Sequence, residues 1–277
     1  MAPLFVDTHA HIQGPEFQAD IDSVVRRAEA AGVARIIVPG VDAETSAAAA
    51  LLSDRFPSLY FAAGYHPHEA SRLDRAALRG IAGLLSHPKA VAVGEIGLDY
   101  YRMHSPRRDQ LAAFEAMLDL ALERKLPVIV HCRDAADDIS VKLEEWSLRA
   151  APVFGGRPLG VLHYFSGTPE EAARYVELGF LISVHTSVTH PRADQLRRVA
   201  AEAPLHALVI ETDSPYGAPQ SVRGKRNEPE FVSEAAAKIA EVRGLTLEGV
   251  AQATTANAAR LFGLGLPAGG AAIGASA

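Results

Sequence analysis

Short apolar runs alternate along this chain with longer stretches in which apolar residues recur every three to four positions. Eight runs rich in Val, Ile, Leu and Phe fall at 4–7, 35–38, 59–63, 90–94, 127–131, 159–163, 180–184 and 208–211. They are apolar at consecutive positions rather than alternate ones, the pattern of parallel strands buried on both faces. Helical periodicity predicts helices at 20–31, 43–54, 74–85, 107–125, 135–149, 169–178, 193–203 and 229–243. The runs recur at roughly 25–35 residues, the length of a β–α–β unit. Eight such units predict an α/β fold, a (β/α)8 TIM barrel, as a single domain over residues 1–263. A doubly wound sheet is the rival, but it has no use for eight repeats. A last amphipathic helix is predicted at 244–262 with Thr246 as its N-cap, and the Gly- and Ala-rich stretch 264–277 as a flexible tail.

Composition narrows the class. The chain has 277 residues, 48% of them hydrophobic, enough for one large core. Its single cysteine, Cys132, excludes an intramolecular disulfide framework and suits a reducing compartment. The start Met-Ala-Pro-Leu-Phe-Val-Asp lacks a basic region ahead of a long apolar core, and no run reaches the about 18 apolar residues that span a bilayer. These features predict a soluble, cytoplasmic protein with no membrane association and no obligate protein partner. The net charge of −6 gives no basic footprint for sequence-independent binding to nucleic acid. A nuclease stays open all the same, because bound divalent ions can be the largest charges in a site.

In a barrel of this kind the chemistry sits where the strands end. The first run ends in Asp7-Thr8-His9-Ala10-His11, and residues i and i+2 of an extended segment project from one face. Gly64-Tyr65-His66-Pro67-His68 follows the third run and Glu95-Ile96-Gly97-Leu98-Asp99-Tyr100 the fourth. His131-Cys132-Arg133, His163-Tyr164-Phe165-Ser166-Gly167 and Glu211-Thr212-Asp213-Ser214-Pro215 follow the fifth, sixth and eighth. His9, His11, Glu95, His131, His163 and Asp213 thus offer four imidazoles and two carboxylates on one rim. One catalytic ion usually takes three protein ligands. This set suits two ions bridged by one carboxylate, with Glu95 the natural bridge. The bland reading, each histidine meeting a local hydrogen bond, fits any one of them better than all together.

These motifs, in this order, resemble the TatD-like metal-dependent hydrolases, and Arg226-Asn227-Glu228-Pro229 is similar to the family's motif after the last strand. The resemblance runs from about residue 4 to 263. It implies a metal-dependent DNase on a TIM barrel within the amidohydrolase superfamily, acting as a 3′-5′ exonuclease on single-stranded DNA. It implies that His9, His11, Glu95 and Asp213 hold one divalent ion and that Glu95, His131 and His163 hold another, with Mg, Mn or Zn as the metal. Asp213 is expected to double as general base, which with Glu95 makes the catalytic pair. His66, from the Gly-x-His-Pro motif, is expected to contact the scissile phosphate, and Arg133 to supply a charge-assisted hydrogen bond to it.

Further out, Tyr100 and Tyr101 stand beside Arg102, Arg107 and Arg108. Such a loop reads either as a stacking platform for a single strand, with Tyr101 and Arg102 in contact with it, or as a plain helix start at Ser105-Pro106. Arg223, Lys225 and Arg226 form a second basic cluster expected near the same rim. Glu211 is expected to orient a ligand rather than bind metal. His68, His87, His104 and His206 read as solvent or structural histidines, and Trp146 as helix packing. Two departures from the family's pattern bear on substrate fit: Tyr164 stands where many relatives carry Cys, and His185 and His190 follow the seventh run. Two other functions stay in view. One is hydrolysis of an amide or ester, such as the aminoacyl bond of a D-aminoacyl-tRNA, and the other is a non-catalytic binding scaffold. The absence of a lysine after the fourth run, where related amide-cleaving barrels often carry a carboxylated one, favours the phosphodiester.

Overall fold

In the computed structural model, which describes residues 3–266, eight parallel strands form one sheet in the order β1 to β8. The strands are β1 Phe5–Asp7, β2 Val33–Pro39, β3 Leu59–Ala63, β4 Ala90–Asp99, β5 Val128–Arg133, β6 Gly160–Leu162, β7 Phe180–His185 and β8 Leu208–Glu211. Backbone bonds from Thr8 N–H to Ile210 O (3.1 Å) and from Asp213 N–H to His9 O (2.8 Å) join β8 back to β1. The fold is the expected (β/α)8 barrel.

Helices cover its outside: α1 Ile21–Ala30, α2 Ala43–Arg55, α3 Arg75–Leu84, α4 Arg107–Arg124, α5 Ala136–Phe154, α6 Pro169–Glu177, α7 Asp194–Glu202 and α8 Val232–Arg243. A ninth, α9 Leu247–Phe262, packs Ala258, Leu261 and Phe262 against the barrel's inner residues and so closes its bottom. Thr246 caps α9 as expected, taking the Gly249 N–H at 3.1 Å. Gly244 does not begin that helix. It sits at φ 63° as the left-handed cap of α8, a conformation glycine adopts without strain. No helix among the described residues is long and apolar enough to cross a membrane. The expected tail lies outside the described residues from 267 onward.

Strand period explains how this core builds a site. Val6, Ile37, Ala62, Ala92, Ile129, Val161, Leu181 and Val209 form an apolar layer inside the barrel, one from each strand. Two residues further along β5, β7 and β8, and just beyond the end of β6, the inward positions are His131, Ser183, Glu211 and His163. The period-2 alternation therefore stacks polar groups directly above an apolar floor.

Strand ends differ from expectation where polar residues belong to strands. β4 continues past Gly94 to Asp99, because Glu95 and Asp99 find partners inside the rim and need not leave the sheet. Its pairing with β5 shifts register between Val93 and Ile96 and sets Gly97 opposite His131. A Cβ at Gly97 would lie 2.0 Å from the His131 carbonyl oxygen, and its φ of 143° excludes ordinary side chains. Conversely, β1 ends at Asp7, so His9 and His11 lie beyond it in an extended segment held to the loop after β8.

Candidate metal centre

Four elements bring the imidazoles to Glu95. His9 Nε2 and His11 Nε2 stand 3.1 Å apart and face Glu95 Oε2 at 3.3 and 3.4 Å. The same two nitrogens lie 3.8 and 3.7 Å from Asp213 Oδ1. On the other side, His131 Nδ1 and His163 Nε2 face Glu95 Oε1 at 2.9 and 3.0 Å. One buried carboxylate thus turns each oxygen to a separate pair of imidazoles. Donor atoms about 2.0–2.2 Å from a shared dication stand roughly 3–3.5 Å apart in tetrahedral array. The separations around Glu95, 2.9 to 3.4 Å, lie close to that spacing on both sides, while Asp213 Oδ1 at 3.7 and 3.8 Å stands slightly beyond it. The ring of His9 also stacks on that of His163 at 3.7 Å, which locks the two clusters together.

His66 reaches the same carboxylate, with Nε2 3.4 Å from Glu95 Oε1, yet it is built as a donor. Its Nδ1 accepts the His68 backbone N–H at 3.1 Å. Burial pushes its pKa down to about 4 against the pull of Glu95, so the ring is neutral and its proton sits on Nε2. A protonated Nε2 cannot ligate, but it can donate to an oxygen.

Two of the other imidazoles, His131 and His163, have their tautomers set by outer carboxylates. His131 Nε2 lies 3.2 Å from Asp99 Oδ2, which leaves Nδ1 free toward Glu95. His163 Nδ1 lies 3.2 Å from Glu211 Oε1, which leaves Nε2 free. Glu211 therefore stands where an orienting residue would. Burial raises the Glu95 carboxyl, but the charge of His163 and hydrogen bonds from His11 and His131 outweigh it and hold it well below the usual range. Burial lowers His163, yet the charges of Glu95 and Glu211 raise it well above an ordinary histidine. For Asp213 burial wins over His163 and His11, and its carboxyl is pushed up to about 7. Its backbone is left-handed, φ 60°, which an Asp accepts at some cost and which turns the carboxylate into the mouth.

Several residues act differently from the sequence expectation, and others escaped it. Of the histidines read as solvent or structural, His68 is the structural kind, and it works close to the centre: its Nε2 lies 2.9 Å from Asp99 Oδ2, and His104 stacks on it. Asp99 gathers His68, His131 and the backbone N–H groups of Tyr101 and Arg102, across gaps of about thirty residues for the histidines. No local pattern reveals that. Asp7 is fully buried and holds the Thr212 N–H at 3.0 Å and hydroxyl at 2.7 Å, so it ties β1 to the loop that carries Asp213. Burial raises its carboxyl to about 8 against those bonds.

At the rim, the Arg133 guanidinium lies 4.0 Å from the Tyr101 ring centroid, with Arg102 on the same ring at 5.7 Å. Neither arginine has a carboxylate partner among the described residues. Tyr100 and Arg107 are instead both bound to Asp138, so they fasten the start of α4 to α5. The second basic cluster is divided too. Arg226 is committed to Asp20 and Glu228 at 2.7 Å each, while Arg223 and Lys225 are exposed. Tyr164 has a left-handed backbone (φ 45°); its ring stacks on that of His185 at 3.7 Å and lies 6.0 Å from that of His163. His190 Nε2 meets Ala218 O at 2.7 Å, which ties the loop after β7 to the one after β8. Trp146 is packing, as expected, with its Nε1–H on Leu118 O.

The chain matches the family model described as TatD related DNase over residues 6–263. It is 38% identical to the uncharacterized metal-dependent hydrolase YabD of Bacillus subtilis, over 94% of this chain and 99% of that one. It is 36% identical to the 3′-5′ ssDNA/RNA exonuclease TatD of a Rahnella strain, over 92% of this chain and 96% of that one. Among solved structures, the TatD homologue YJJV of Escherichia coli superposes with a TM-score of 0.87 at 35% identity, covering 94% of this chain and 98% of that one. With that fold, a carboxylate shared between two imidazole pairs and a family match across nearly the whole barrel, the chain belongs to the TatD-related DNase family of metal-dependent hydrolases.

Proposed function

We propose that this chain hydrolyses phosphodiester bonds in single-stranded DNA, removing nucleotides from the 3′ end, with two divalent ions of the Mg, Mn or Zn class. The observation that carries the two-ion reading is the split of Glu95, whose Oε2 faces His9 and His11 while Oε1 faces His131 and His163. His9, His11, Asp213 and Glu95 would hold one ion, and Glu95, His131 and His163 the other. Bound there, divalent ions supply Lewis acidity to a phosphoryl oxygen and to water. The polarity and the single-stranded substrate are carried over from relatives named 3′-5′ ssDNA/RNA exonucleases.

The chain's own groups do the rest. Asp213, which its left-handed backbone turns into the mouth beside His9 and His11, accepts the proton of the attacking water. The His66 Nε2–H donates to a phosphoryl oxygen. Arg133 adds a charge-assisted hydrogen bond to phosphate, and Tyr101 with Arg102 offers a stacking face to a base. Asp99 and Glu211 hold the rings of His131 and His163 at the angle and tautomer that ligation needs.

The test is cleavage of 3′- and 5′-labelled single-stranded DNA with Mg, Mn or Zn, and with a chelator. A ladder shortening from the 3′ end, absent with chelator and lost in Glu95→Ala and Asp213→Asn, is the expected result. Metal-dependent hydrolysis of an aminoacyl ester or amide with no cleavage of any nucleic acid would overturn it.

A further inference from the structure

Tyr216 is unclaimed by the sites above, yet it stands directly beside them. Its ring is 60% exposed, and its centroid lies 6.5 Å from that of His11, edge to face. An isolated exposed aromatic means little. Here the backbone beneath the ring is fastened at four points: Tyr216 N–H to Asp213 O at 2.9 Å, Asn227 Nδ2–H to Tyr216 O at 2.7 Å, Asn227 N–H to Pro215 O at 3.1 Å, and the Thr186 hydroxyl to Gly217 O at 2.7 Å. The ring is therefore an open face on a rigid mount. Tyr101 is comparably exposed, at 59%, with its N–H held by Asp99 and the Arg133 guanidinium against its ring.

The strand order places these two rings apart. Tyr101 follows β4 and leans on Arg133 of β5, whereas Tyr216 follows β8 and faces His11 beyond β1. In a closed ring of eight strands, β4–β5 and β8–β1 are opposite arcs, and the Glu95 cluster lies between them. We propose that Tyr101 and Tyr216 are paired stacking platforms on opposite sides of the barrel mouth, holding bases on either side of the phosphate that is cut. This rests on the nucleic-acid reading above and sharpens it: the substrate is an unpaired strand long enough to cross the mouth. Bases inside a duplex already have both faces covered by neighbours and offer none to a tyrosine. Stacking reads no base identity, since every base has a π-face. A tyrosine on a rigid backbone loses little freedom on binding, which suits it to this use.

The experiment measures binding of the metal-loaded protein to a fluorescent, phosphorothioate-linked dT 12-mer by anisotropy. Tyr216→Ala and Tyr101→Ala are each expected to weaken binding about 5- to 150-fold, the range for loss of one base–aromatic stack. Tyr216→Phe is expected to keep the affinity because it keeps the face. A blunt duplex of the same length should bind more weakly and respond little to either Ala variant. Thermal unfolding checks that each variant is folded. If the parent protein binds the 12-mer and Tyr216→Ala binds it equally well, the platform is wrong and the nuclease reading stands. If the parent protein binds no nucleic acid, both fall.

Discussion

Asp99→Asn isolates the orienting role of an outer carboxylate with almost no change in shape. Asp99 Oδ1 accepts the Tyr101 and Arg102 N–H groups at 3.0 and 2.7 Å, while Oδ2 faces His68 Nε2 at 2.9 Å and His131 Nε2 at 3.2 Å. In the asparagine the carbonyl must stay under the two backbone donors, so the NH2 group takes the place of Oδ2. A donor then faces His131 Nε2, and the ring is driven to the tautomer with its proton on Nδ1, the atom that faces Glu95 at 2.9 Å. Loss of such an orienting partner costs about 10- to 100-fold in metal affinity, or roughly 1.4–2.7 kcal/mol. The 3.2 Å separation is at the long end for an N–H···O bond, so about 10- to 30-fold is expected here. The assay is competition with a chromophoric chelator for Zn or Mn, with thermal unfolding of the stripped protein as the check on folding. Glu211→Gln supplies the contrast. Its Oε1 alone takes both the His163 Nδ1 (3.2 Å) and the Tyr164 N–H (2.6 Å), and a glutamine carbonyl can keep both, so a smaller loss is expected. A folded Asp99→Asn protein with affinity within twofold of the parent would refute the reasoning, as would a larger loss in Glu211→Gln than in Asp99→Asn.

Two further outcomes follow from the same geometry. Without metal, His11, His131 and His163 are all raised: burial lowers each, but Glu95, with Asp213, Asp99 or Glu211, outweighs it. Ligation must expel those protons, so metal affinity should climb as pH rises above 6.5, with net proton release seen as a dependence of calorimetric heat on buffer ionisation enthalpy; a pH-independent affinity would contradict the arrangement. Gly97→Ala puts a methyl 2.0 Å from the His131 carbonyl at a φ of 143°, so β4 and β5 must part. A loss of about 3 kcal/mol or more in chemical denaturation is expected, together with weakened metal binding, and an unchanged midpoint would show that the strands yield there.

How much of this was legible beforehand depends on how far apart the interacting residues lie. The barrel was legible because each strand and helix announces itself within a few residues. The gathering of His9, His11, His131, His163 and Asp213 around Glu95 was legible because the strand ends are where such folds place chemistry, and these are residue types with few other reasons to meet there. Asp99 and His68 were passed over although both sit inside quoted motifs, since their partners come from other strands. Arg226 looked like a free cation because its partners Asp20 and Glu228 are joined to it only by the fold.

The sequence by itself determined the period: eight apolar runs at the spacing of β–α–β units, and with them the rim on which polar residues would fall. It also supplied the donor atoms, because imidazole and carboxylate chemistry travels with residue type. The tertiary structure alone decided orientation. It turned one oxygen of Glu95 to each imidazole pair, made His66 a donor by giving its Nδ1 a backbone proton, and stacked Tyr164 on His185. The physical reason is range. Strand and helix periodicities are written by neighbours in the chain, whereas tautomer, charge and ring direction are set by groups that meet only when the barrel closes.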